Sequence, residues 1–197
     1  MDHRTYFNEK ASNWDSLFPD EVKLRLKEIV RGLSIRPGAK VLDVGTGTGI
    51  LIPFLVEAVG SAGTVVAMDF AAQMLAVARQ KYSWPNVQFL EADVAAIPFP
   101  GQTFDEVVCN SAFPHFTDQP QAAKEMGRVL KTGGRIAVCH PYSREYVNNL
   151  HRSLDGVVSN DLIPDDETMR ALFAAAGFQE IAIQDGAGCY LLTARKG

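Results

Sequence analysis

Apolar positions change their period along the chain, and the changes mark out its elements. Over residues 20–32 they recur every three or four residues, at Val22, Leu24, Leu26, Ile29 and Val30, with Leu33 just beyond. That spacing predicts an amphipathic helix with Asp20 as its cap. Pro37-Gly38 then makes a turn. Val41, Leu42 and Val44 follow as a short run of strand formers with one carboxylate, Asp43, set inside it. Unbroken apolar runs return at residues 64–69, 87–91, 103–109 and 135–140, and helical patterns lie between them at 50–59, 71–81 and 119–130. Runs without alternation suit strands covered on both faces, and the βαβα succession predicts an α/β protein with a mostly parallel sheet. Toward the C-terminus, residues 165–176 read as a helix stopped by Gly177, and 178–184 and 190–195 as two strands joined by Asp185 to Gly188.

A chain of 197 residues that is 47% hydrophobic fits one domain, 1–197, with a sizeable core. No run approaches the roughly 20 apolar residues of a membrane span, and the opening residues carry no apolar signal region, so a cytoplasmic protein is expected. Lys plus Arg at 19 against Asp plus Glu at 23 gives a net charge of −4 with no basic run, which disfavours nucleic acid as a partner. Cys109, Cys139 and Cys189 are odd in number and widely spaced, as in a reducing compartment.

Chemistry concentrates after the first strand. Gly45, Gly47 and Gly49 alternate with threonines before a helical pattern begins at Ile50. Glycines permit a tight turn and close approach of a ligand to the backbone, and a helix N-terminus beyond them favours a carboxylate or phosphate. The spacing Gly-x-Gly-x-Gly departs from the dinucleotide fingerprint Gly-x-Gly-x-x-Gly. Asp43, two residues before Gly45, would repel a pyrophosphate yet suit a ligand carrying an ammonium and a sulfonium. Asp69 ends the second strand about 20 residues past Gly49, the distance at which a carboxylate binds a ribose diol. Asp93, past the third strand, can accept from an adenine amino group while Val94 offers its N–H. The loop after the fourth strand, Asn110, Ser111, Phe113 and His115, should border the reacting centre.

Taken as an ordered set, Val41-Leu-Asp-Val-Gly-Thr-Gly-Thr-Gly49, Asp69, Glu91-Ala-Asp93, Ile97-Pro-Phe99 before Phe104-Asp105, and Arg128-Val-Leu-Lys-Thr-Gly-Gly134 resemble the class I S-adenosylmethionine-dependent methyltransferases. They are most similar to the small-molecule branch of the menaquinone and ubiquinone C-methyltransferases. The resemblance implies a Rossmann-like three-layer αβα sandwich, with a seven-stranded, mostly parallel sheet whose last strand runs antiparallel. It implies S-adenosyl-L-methionine as cofactor, its methionine end lined by Gly45, Thr46, Gly47 and Gly49 with Asp43 toward the ammonium. Asp69 would hold the ribose, Phe70 and Met74 would border the adenine, and Asp93 with Val94 would read its edge. Asn110 and Ser111 would supply oxygens near the ammonium. Residues 1–19, with Tyr6, Phe7, Trp14, Leu17 and Phe18, would form an aromatic flap or seal an edge of the core, Tyr6 matching the family's flap residue.

The methyl acceptor is expected to be a small molecule held by a substrate-lid insertion at 140–164. Ser143 caps a helix there, which puts Arg144, Val147 and His151 on one face. His115 and His140 are the candidate bases, His151 could converge with them, and Arg144 could anchor an anionic acceptor. Each also has a purely structural reading. Cys109, Cys139 and His140 raise a metal or metalloid site, but buried thiols acting as small apolar residues are commoner, and no metal is expected. Nucleic-acid amino-methylation is disfavoured, because Asn110 is followed by Ser111, Ala112 and Phe113 and not by that group's Pro-Pro-aromatic motif. A non-catalytic S-adenosylmethionine-binding protein and a nicotinamide-dependent oxidoreductase remain as alternatives. The oligomeric state is open, a homodimer being one option.

Overall fold

A computed structural model describes residues 1–186 and 188–197; Ala187, within the expected connection from Asp185 to Gly188, lies outside the described residues. The elements run α1 (His3–Lys10), α2 (Asp20–Leu33), β1 (Lys40–Val44), α3 (Ile52–Val59), β2 (Thr64–Asp69), α4 (Ala72–Lys81), β3 (Val87–Glu91), β4 (Phe104–Asn110), α5 (Gln119–Val129), β5 (Leu130–His140), α6 (Arg144–Ser153), α7 (Asp166–Ala175), β6 (Phe178–Gly186) and β7 (Cys189–Lys196). The sheet has seven strands in the order β3-β2-β1-β4-β5-β7-β6. β7 pairs antiparallel with both β5 and β6, and the other pairings are parallel. The order reverses between β1 and β4, so a crevice opens at their carboxyl ends, where open α/β sheets bind ligands.

Strand alternation divides the core in two. Leu42, Val44, Val107, Ile136 and Val138 meet α5 and α7 on one face, with Phe104, Met126 and Phe173 fully buried among them. Val41, Val65, Val108 and Ala137 meet α2 and α3 on the other. β1 and its neighbours therefore read as unbroken apolar runs because helices cover both faces.

Local differences from the sequence reading have identifiable causes. Pro19, not Asp20, caps α2; Asp20 begins the helix and bonds Lys23 Nζ at 2.8 Å. Leu24 faces out at 65% exposure, since the buried stripe is set by Val22, Leu26, Ile29 and Val30. The expected turn at Thr132 to Gly134 lies inside β5 as an irregularity: Phe104 pairs with Leu130, and the register resumes only at Glu106 with Arg135. Ser143 caps α6 and Asp165 caps α7 through side-chain bonds to the backbone three residues on. Residues 1–19 are not irregular: α1 is followed by a 3-10 helix, Ala11–Leu17.

Candidate active site

The glycine turn leaves β1 with φ of +71° at Gly45, +56° at Gly47 and +85° at Gly49, a region that side chains with a Cβ enter at a cost. Gly45 and Thr46 both donate to the Met68 carbonyl, at 2.8 and 2.9 Å, which curls the turn over the end of β2. A Cβ on Gly45 would lie 2.3 Å from that of Ala112 in the β4 loop, so the two strand ends approach through glycine. Gly49 serves packing instead. It lies outside the cleft wall, and a Cβ there would meet Ile52 Cδ1 at 2.8 Å.

Asp69 is turned into the cleft and held from below. Its Oδ2 accepts from Gly47 N and its Oδ1 from Ala71 N, both at 2.8 Å. Burial raises its carboxyl above the ordinary carboxylate range, against the pull of these backbone N–H groups. Two oxygens, each with a lone pair left, are what a vicinal diol needs. Asp93 caps a short 3-10 helix, Val94–Ala96, through a 2.8 Å bond from Ala95 N, and lines the cleft beside Val94. Phe70, Met74, Asn110 and Ser111 line the same space. Ser111 takes a left-handed φ of +53° at the end of β4, with its N–H on the Cys139 carbonyl at 2.9 Å. Strain of that kind collects at ligand sites.

Asp43 does not face the cleft. It shares Val41's side of β1 and is buried beneath the turn, where it accepts from Thr46 Oγ1 at 2.6 Å. Burial, partly offset by that bond, lifts its carboxyl to about 7. It braces the turn, and Thr46 is the neighbour that the cleft presents.

The N-terminal segment packs on the core and also reaches the cleft. Phe7 and Ala11 pack with Ala71, Met74 and Val158, while Phe7, Trp14 and Phe18 also line the cleft. Tyr6 is absent from that wall, and Trp14 is the ring nearest Gly47. The segment is fastened at Asp15, which accepts from Thr48 Oγ1 at 2.5 Å and from Lys81 Nζ at 2.7 Å.

His115 is the candidate base that the fold brings to the cleft. Its Nδ1 lies 2.7 Å from Asp161 Oδ2, and the same oxygen is 2.8 Å from His3 Nε2. His115 Nε2 has no hydrogen-bond partner among the described residues. Burial holds His115 below the ordinary imidazole range, with Asp161 pulling the other way. Burial alone would raise Asp161, but the bonds to His115 and His3 outweigh it and its carboxyl sits low. His151 lies just behind, its ring centroid 5.0 Å from that of His115 and its Nδ1 on the Asp161 backbone carbonyl.

The other two candidates are elsewhere. His140 follows Ile136 and Val138 into the α5/α7 face and is buried beside Tyr190, with ring centroids 6.3 Å apart. His140 Nε2 and the Tyr190 hydroxyl have no partner among the described residues. Arg144 is engaged by Asp166 Oδ1 at 2.9 Å and Asp185 Oδ2 at 3.6 Å, so it ties α6 to α7 and to the β6–β7 hairpin. Cys109 and Cys139 fall on opposite faces of the sheet, which keeps them from sharing an ion with His140. Sequence reasoning missed Asp161 and His3. Both sit in polar stretches with no period, and only the fold brings them to His115.

These features fit S-adenosylmethionine. A bare-backbone turn, an acceptor-only carboxylate fixed by two N–H groups and an adjoining pair of cleft-lining residues, Asp93 and Val94, stand side by side. Residues 41–134 match the Methyltransferase domain family. Demethylmenaquinone methyltransferase of Thermus thermophilus is 34% identical, over 87% of this chain and 90% of its own. The 2-phytyl-1,4-naphtoquinone methyltransferase of Thermosynechococcus vestitus is also 34% identical, over 76% of each. A crystal structure of a SAM dependent methyltransferase from Aquifex aeolicus superposes with a TM-score of 0.77 at 23% identity, covering 95% of this chain and 97% of that one, which shows the shared fold. Together with the cleft, these likenesses place the chain in the class I S-adenosylmethionine-dependent methyltransferases, in the branch that holds the menaquinone and ubiquinone C-methyltransferases.

Proposed function

We propose that the enzyme methylates a small, largely apolar acceptor whose nucleophilic atom gains strength by losing a proton, a quinol-type ring being the favoured class. S-adenosylmethionine supplies an electrophilic methyl group on a good leaving group. Asp69 would hold its ribose, Asp93 and Val94 its adenine, and the Gly45 to Gly47 backbone its amino-acid end. The observation that carries the reading is the 2.7 Å contact between His115 Nδ1 and Asp161 Oδ2 in the cleft wall. A carboxylate on Nδ1 fixes the tautomer in which Nε2 accepts a proton, and burial keeps the ring neutral until it does. Phe7, Trp14 and Phe116 offer an apolar surface for a flat ring in the same cleft. Two relatives, by their names, act on naphthoquinone-type compounds. In the proposed step, His115 would take the phenolic proton of a reduced quinone, leaving an electron-rich ring carbon to accept the methyl group that the sulfonium would supply. The ring C–H proton then leaves and aromaticity returns.

On this reading residues 140–164 act as the acceptor lid, contributing Asp161 and His151, and 1–19 as the flap over the donor. Three unbridged cysteines support a reducing, cytoplasmic setting. The test is S-adenosylhomocysteine release with reduced and oxidised 1,4-naphthoquinones, simple amines and carboxylic acids, in metal-free buffer. Turnover confined to the reduced quinones, with kcat falling roughly 10²- to 10⁴-fold in Asp161→Asn at unchanged donor affinity, is expected of a general base. Turnover on amines or acids with none on quinols, or an unchanged kcat in Asp161→Asn, would overturn it.

A further inference from the structure

The chain has four histidines, and two of them meet at one carboxylate, while a third holds the backbone carbonyl of the same residue. Fixing the tautomer of His115 needs one oxygen of Asp161 and nothing more. Yet His3, 158 residues away on α1, brings a second imidazole to the same Oδ2. The ligand atoms of His3, His115 and Asp161 lie within 4.8 Å of one another, and they are the set among the described residues that comes close enough to share an ion. Two neutral imidazoles and a carboxylate are a donor set for borderline divalent transition metals. His3 and His115 both border the cleft, which leaves a coordination position open on that side. His151, holding the Asp161 backbone carbonyl, fixes the carboxylate's loop from behind.

We propose that His3, His115 and Asp161 bind a divalent transition-metal ion that favours nitrogen and oxygen ligands, zinc being the type. Bonds of about 2.0–2.1 Å at tetrahedral angles put neighbouring ligand atoms roughly 3.3 Å apart. The present contacts of 2.7 and 2.8 Å therefore need to open by only about half an ångström around such an ion. The site deepens the base reading and rests on it for its consequence. A metal on His115 Nδ1 takes the lone pair there, and the proton that Nδ1 shared with Asp161 passes to Nε2. That nitrogen then donates and no longer accepts, so the metal-loaded enzyme keeps its donor but loses its base.

The experiment is calorimetric titration of zinc into the whole chain, repeated with cobalt(II) to read ligand geometry from visible absorption, with no acceptor present. One ion per chain is expected, bound at least about tenfold more weakly by His3→Gln and by Asp161→Asn and unchanged by Cys189→Ser, which removes the partly exposed thiol. S-adenosylmethionine affinity and melting temperature, measured on each variant, show that it is folded. Absence of binding, binding indifferent to His3→Gln and Asp161→Asn, or binding lost with Cys189→Ser overturns the site. Because the readout needs no methyl transfer, failure of the metal site and failure of the base are separate results, the latter read with acceptor in metal-free buffer.

Discussion

His140 offers the most quantitative check. Burial, with a smaller electrostatic push from the neighbouring imidazoles, lowers its imidazole to about 3 from 6.5. A base whose folded pKa is depressed costs nothing above its unfolded pKa, where both states are neutral. Stability is lost as pH falls below 6.5, because the unfolded chain binds a proton that the folded chain refuses, and the loss continues down to about pH 3. At 1.36 kcal/mol per unit, the fall from about pH 6.5 to about pH 5 removes roughly 2 kcal/mol. For a domain of this size that is roughly 4–8 °C in melting temperature. Urea unfolding of the native chain and of His140→Phe at about pH 7.5 and about pH 5 isolates the effect, since carboxylate contributions are common to both and cancel in the difference. The native chain should lose about 2 kcal/mol more than the variant across that interval, with equal m-values. Parallel losses would refute the assignment and return His140 to the list of groups able to take a substrate proton.

Asp69→Ala should weaken S-adenosylmethionine binding at least about tenfold in calorimetry, because hydrogen bonds to an ionised group contribute about 1.5–3 kcal/mol each; unchanged affinity would remove the ribose assignment. Gly45→Ala must put a Cβ 2.3 Å from that of Ala112 at a φ of +71°. Left-handed strain and overpacking together cost roughly 2–5 kcal/mol, so the melting temperature should drop by about 5 °C or more, and a neutral substitution would mean that the two loops are not in contact. Arg144→Ala breaks ion pairs that are partly exposed, so about 1 kcal/mol or less should be lost per pair, with KM for the acceptor within about twofold. A large rise in KM would bring Arg144 back to the acceptor.

Legibility of the fold followed the range of the contacts that make it. β1 and its turn are local: apolar run, glycines and helix start lie within a dozen residues, and each constrains its neighbours. Asp69 and Asp93 were legible because a parallel sheet lines up its strand ends, and residues at those ends fall on one rim without any pairing information. The facing of Asp43 and His140 was written in strand alternation as well, since each shares a side with core residues two positions away. Their charge and chemistry drew attention to the site and away from that parity. The cluster at Asp161 is of another kind. His3 is 158 residues and His115 46 residues from it in the chain, and no local period encodes such a meeting. Nothing in residues 159–162 separates Asp161 from a solvated loop acid until α1, α6 and the β4 loop converge on it.

The fastening at Asp15 has a kinetic consequence. One carboxylate grips the glycine turn through Thr48 and α4 through Lys81, with Trp14 one residue before it roofing the space where the donor's amino-acid end would sit. If residues 1–19 act as the proposed flap over the donor, these bonds would part whenever the donor exchanges. Weakening the clasp by Asp15→Asn should then hasten product departure while loosening donor retention, and product-release rates unchanged from the native chain would show that the clasp plays no part in exchange.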